Sequence, residues 1–104
     1  VHAASQRLFV TSFYNSRVLV FDAATADGDV APIQTLQGAS TLLSGPEGIL
    51  IEPTTRELFV TSAIGNQVMV YADALPANGD VAPSRTISGA NAGLSFPCAI
   101  AFDF

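Results

Sequence analysis

Short apolar runs alternate along the chain with polar stretches rich in turn-forming residues. Leu8-Phe9-Val10 and Val18-Leu19-Val20-Phe21 are continuously apolar, which suits strands covered on both faces rather than half-buried ones. The polar link from Phe13 to Arg17 has the length of a hairpin connection. No window carries apolar residues at helical spacing over three turns. The pattern predicts strands over residues 8–11, 18–21, 33–36, 46–51, 58–61, 68–71, 84–87 and 97–102. Residues 23–26 and 72–75 have room for a single helical turn each.

The runs repeat. Leu8-Phe9-Val10-Thr11-Ser12 returns as Leu58-Phe59-Val60-Thr61-Ser62 at an offset of 50. Val18-Leu19-Val20-Phe21 returns as Val68-Met69-Val70-Tyr71 at the same offset. Gly28-Asp29-Val30-Ala31-Pro32 returns as Gly79-Asp80-Val81-Ala82-Pro83 at an offset of 51, so one extra residue lies in the loop over residues 73–78. Gly38, Leu43, Ser44 and Pro46 then match Gly89, Leu94, Ser95 and Pro97. The chain of 104 residues is therefore one duplicated unit, about 1–50 and 51–104. Four short strands in each unit of about 50 residues suggest blades of a β-propeller.

Composition narrows the functional classes. Four Arg and no Lys stand against nine acidic residues, a net charge of −5. Clustered positive charge is missing, so neither a nucleic-acid partner nor a polybasic membrane contact is expected. No apolar run approaches the roughly 20 residues of a spanning helix. The lone Cys98 allows no internal disulfide and no cysteine-based zinc site. No Gly-rich phosphate loop and no nucleophile or zinc-protease motif appears. No cofactor is expected.

Gly45-Pro46-Glu47-Gly48-Ile49, then Glu57-Leu58-Phe59-Val60-Thr61, then Asn66-Gln67-Val68-Met69-Val70-Tyr71, resembles an NHL-type repeat. A partly degraded version ends the chain in Phe96-Pro97-Cys98-Ala99-Ile100-Ala101-Phe102-Asp103. The Gly-Asp-Val-Ala-Pro segments are similar to those of bacterial NHL-like propellers. The resemblance implies an all-β fold: propeller blades of four antiparallel strands, two per chain. It also implies an extracellular or periplasmic location and a binding scaffold, with lactonase or lyase propellers as the enzymatic alternative.

The repeats are out of phase with the blades. In blade order the strands run second, third, fourth; first, second, third, fourth; first. Propellers have roughly 4–8 blades, so other copies or a longer parent chain are expected to complete the fold. The closing segment would pair beside residues 8–12 of another copy, which makes Pro97, Ile100 and Phe102 candidate interface residues. A homo-oligomer, either ring or filament, and a window from a longer propeller are the two completions.

Glu47 opens an innermost strand and is a candidate channel-lining residue, with Cys98 at the equivalent position of the second unit. A metal ligand at Glu47 is the sharp reading and a solvated turn residue the plain one. The Glu–Cys alternation weakens a metal cage. For Cys98 itself the plain reading is a small buried apolar group. Asp27-Gly28-Asp29 and Asn78-Gly79-Asp80 look like pieces of calcium loops but lack the further oxygen ligands, so they read as turns. His2 has no nucleophile near it in sequence, and no catalytic role is expected of it. Phe13 and Tyr14, where the second unit has Ala63 and Ile64, are candidate interface aromatics. A binding or scaffold role is favoured over catalysis.

Overall fold

The computed structural model describes residues 6–73 and 78–103. His2 and Leu75 lie outside the described residues. The fold is all-β, with two antiparallel sheets. The first holds β1 (Arg7–Ser12), β2 (Arg17–Asp22) and β3 (Gln34–Leu36), in that order. The second holds β4 (Pro46–Ile51), β5 (Leu58–Ser62), β6 (Gln67–Tyr71) and β7 (Arg85–Ile87), also in chain order. A 3-10 turn at Ala39–Thr41 leads from the first sheet to the second. The turn after β2 closes one helical turn, with the Ala26 N–H donating to the Asp22 carbonyl at 2.8 Å.

The two sheets repeat one another in register. Leu8 lies opposite Phe21 and Val10 opposite Leu19, as Leu58 lies opposite Tyr71 and Val60 opposite Met69. The special backbone positions repeat too. Ser16 and Asn66, Gly28 and Gly79, Gly38 and Gly89, Leu42 and Gly93, and Gly45 and Phe96 all have positive φ. Each pair is one repeat apart in sequence. Both hairpins turn through the same left-handed residue, Ser16 at φ 53° and Asn66 at φ 57°.

Burial separates the sheets. Side chains alternate along a strand, so Leu58, Val60, Met69 and Tyr71 share one face of the second sheet. All four are 1% exposed or less. They form one core cluster with Val18 and Leu36 of the first sheet, flanked by Phe9, Leu43, Ile49, Ile51 and Val81. The continuous apolar runs are thus covered on both sides in β5 and β6, as expected. In β1 that expectation fails, because Leu8 and Val10 are 50% and 38% exposed. The physical reason is position: the second sheet lies against one face of the first, and Leu8 and Val10 lie on the other.

Residues 97–102 also depart from expectation, since they form no strand. A strand needs a ladder partner. This segment crosses the start of β4 instead, so close that a Cβ on Gly48 would stand 2.8 Å from the Cys98 carbonyl oxygen. No described helix is long and apolar enough to cross a membrane.

Candidate functional site

The seam between the two sheets is held by side chains reaching across it. The Thr11 hydroxyl at the end of β1 donates to the Glu47 carbonyl at 2.8 Å. Its repeat counterpart Thr61 accepts from the Gly48 N–H at 2.7 Å within the second sheet. The Gly45 N–H reaches the Ser16 hydroxyl at 3.5 Å, and one repeat later the Phe96 N–H donates to the Asn66 side-chain oxygen at 2.7 Å. The same polar stitch therefore joins each hairpin turn to the segment that follows its unit.

At the end of this seam lies an open cleft of about 360 Å³ lined by Thr11, Phe13, Tyr14, Pro46 and Glu47. Its walls come from both sheets, Thr11 from β1 and Pro46 and Glu47 from β4. Gly45 makes room for one side chain of each hairpin, because a Cβ there would meet Phe13 Cε2 and Ile64 Cγ1 at 2.8 Å. The Phe13 and Tyr14 rings meet edge to face, 5.1 Å between centroids at 78°. Phe96 closes a third ring against Phe13 at 6.3 Å. Tyr14 is 94% exposed and Phe96 50% exposed, so this cluster presents aromatic surface to solvent.

The structure thus brings Phe13, Tyr14 and Glu47 into one cleft. Cys98 stands beside Glu47, so the two residues equivalent in sequence become neighbours in space. Cys98 is exposed, not the buried apolar group of the plain reading, because the segment carrying it lies over the surface of β4. Its thiol contacts the Phe96 carbonyl at 3.3 Å. Desolvation, and after it the charge and hydrogen bonding of Glu47, push the Cys98 thiol above its ordinary pKa. A thiol held protonated is a poor nucleophile.

Pro97 and Ile100 are half-buried along the same segment. Phe102 turns away from the cleft and packs edge to face on Phe59, 5.2 Å between centroids. Among the described residues, no three His, Cys, Asp or Glu side chains group as a metal site.

Phe96 escaped the sequence reading. Its signal was available: the repeat places it where the first unit has Gly45, a left-handed position. A bulky residue at φ 51° is strained, and strain of that kind gathers at functional sites. Comparison with known protein families, curated proteins and solved structures found no match for the chain.

Proposed function

We propose that the chain is a binding module, a scaffold of NHL-like propeller blades acting outside the cytoplasm. Its contact site is the seam cleft. The observation that carries this reading is the composite wall: the Phe13 and Tyr14 rings beside the first sheet share a cleft with Glu47 of the second, and Phe96 flanks Phe13. The duplicated strands and repeated left-handed positions support the blade reading. Aromatic faces beside a carboxylate suit a cation, through cation–π attraction and charge. The net charge of −5 favours the same ligands at longer range. The second unit has Ala63, Ile64 and Cys98 at the matching positions, so this cleft is particular to the first seam.

The ligand class is therefore an amine or guanidinium group, free or on a partner's Lys or Arg side chain. Titration of isotope-labelled protein with Nα-acetyl-lysine amide tests this, with the uncharged Nα-acetyl-norleucine amide as control. The lysine derivative should give saturable shifts at Thr11, Phe13, Tyr14 and Glu47. Tyr14→Ala and Glu47→Gln should each weaken it. Equal response to both compounds, or to neither, would reject the cationic reading.

A further inference from the structure

We infer that the exposed apolar face of the first sheet docks head to tail on the second sheet of another copy of this chain. The second sheet already makes this contact inside the molecule. Its face of Leu58, Val60, Met69 and Tyr71 is buried against the first sheet. The repeat counterparts Leu8, Val10, Leu19 and Phe21 share the equivalent face of the first sheet, where Leu19 and Phe21 are half-buried and Leu8 and Val10 are exposed. Leu8 is 50% exposed where Leu58 is 0%, and Val10 is 38% where Val60 is 0%. Val81 packs on the core cluster, whereas its counterpart Val30 is 43% exposed. These residues are the head.

The receiving surface lies at the other end of the molecule, where Phe102 already packs on Phe59 and the β7 edge stays open. Leu36 of β3 is 1% exposed under the second unit, while its counterpart Ile87 of β7 is 45% exposed. A loop clamp shows the same asymmetry. Asn78-Gly79-Asp80 grips the edge at β3: Asn78 Oδ1 accepts from the Thr35 N–H at 2.9 Å, and Asp80 Oδ1 from the Ser40 N–H at 2.8 Å. Gly79 bridges Leu36 and accepts from the Gln37 N–H at 3.0 Å.

The counterpart loop, Asp27-Gly28-Asp29, grips nothing described, and no described atom lies within 4 Å of a Cβ built on Gly28. The counterpart edge is equally open. A Cβ on Gly38 would fall on the Asp80 carboxylate, whereas one on Gly89 meets nothing described within 4 Å. Loop and edge are thus the two halves of a contact the chain makes once internally and presents once, unfilled, at each end.

Transferred by the repeat, the joint places Asp27 on the Thr86 N–H, Asp29 on the Asn91 N–H, and Leu8 and Val10 over the Ile87 side of β7. The β4–β5 register of Pro46 with Ser62 and Ile49 with Val60 places Pro97 beside Ser12 and Ile100 beside Val10 of the second copy. The contact is heterologous, so copies add in one direction until a ring closes or a filament grows. It does not depend on what the seam cleft binds.

Sedimentation of the 104-residue chain across a wide concentration range tests the joint, with circular dichroism confirming the fold of each variant. The wild-type chain should grow beyond the monomer as concentration rises. Leu8→Glu, with a blocked head, and Ile87→Glu, with a blocked tail, should each remain monomeric. Mixed, they should form a one-to-one dimer and nothing larger, because one intact head meets one intact tail. Asp29→Ala, on an open loop, should leave the monomer folded and weaken assembly about tenfold. A wild-type chain monomeric throughout, single variants that still assemble, or a mixture that stays monomeric would each overturn the inference. A monomeric wild type would assign these faces to another unit of a longer chain.

Discussion

Tyr71 shows how much one buried polar group can couple to pH. Its hydroxyl donates to the Thr41 carbonyl at 2.6 Å inside the core, and burial raises its pKa far above the usual 10.0. Tyr71→Phe leaves that carbonyl without its donor and should cost about 1–3 kcal/mol. The sign of the pH effect follows from the raised value. Below about pH 10 both states hold the proton and the stability is fully present; above it the unfolded chain ionises first and stability falls. Alkaline denaturation should thus be less steep in Tyr71→Phe, and equal slopes would contradict the burial account. Cys98 responds in the same direction, with Glu47 adding to desolvation. With its pKa raised by desolvation and then by Glu47, it should alkylate more slowly than free cysteine at one pH, and Glu47→Gln should speed the reaction. Phe96 links strain to binding. Phe96→Gly should relieve about 1 kcal/mol of left-handed strain yet weaken lysine-amide binding. Thermal melts and titrations of one sample separate the two effects.

At the scale of elements, strands were easier to read than the loops that lock them. Continuous apolar runs placed β1, β2, β5 and β6 within a residue of their ends, because burial of apolar side chains decides where such strands form. Residues 97–102 carry the same kind of run and form no strand, since pairing depends on a neighbour that local sequence does not contain. The loops were less legible still. Asp27-Gly28-Asp29 and Asn78-Gly79-Asp80 look alike in sequence, yet only the second meets an edge. Turn chemistry accounts for both, so composition gave no means of telling the clamp from the free loop. The cleft was half legible: exposed aromatics in a hairpin stood out, but their meeting with Glu47 and Phe96 is tertiary. The clamp makes a sharp forecast at Gly38. A Cβ there would lie 2.4 Å from the Asp80 carboxylate at φ 124°, so Gly38→Ala should destabilise the fold. Gly89→Ala, at φ 97° in open space, keeps the backbone strain but not the clash and should cost less. Urea denaturation at low concentration compares them, and equal losses would argue against the clamp.

Over the whole molecule, the repeat turns stability into a question of neighbours. The core cluster draws Val18 and Leu36 from the first sheet and Leu58, Val60, Met69 and Tyr71 from the second. Neither sheet holds a complete core, so the two should unfold together in one transition. Leu8 and Leu58 provide the cleanest comparison, because they share residue type, strand position and ladder partner class. Leu58 is fully buried and Leu8 is half exposed. Truncating a buried leucine removes its transfer energy and leaves a cavity, costing about 2–5 kcal/mol. Against a typical domain stability of about 5–15 kcal/mol, Leu58→Ala removes a large share. Leu8→Ala opens no cavity in the single chain and should cost under about 1.5 kcal/mol, near half the transfer value of a buried leucine. Denaturation at the lowest workable concentration measures these costs for the monomer. Repeated at high concentration, the cost of Leu8→Ala should rise towards that of Leu58→Ala as the second copy covers the head, because binding to the folded state adds stability by mass action. A Leu8→Ala cost that equals that of Leu58→Ala at low concentration would mean that position in the repeat, rather than the sheet packed against it, sets the energy.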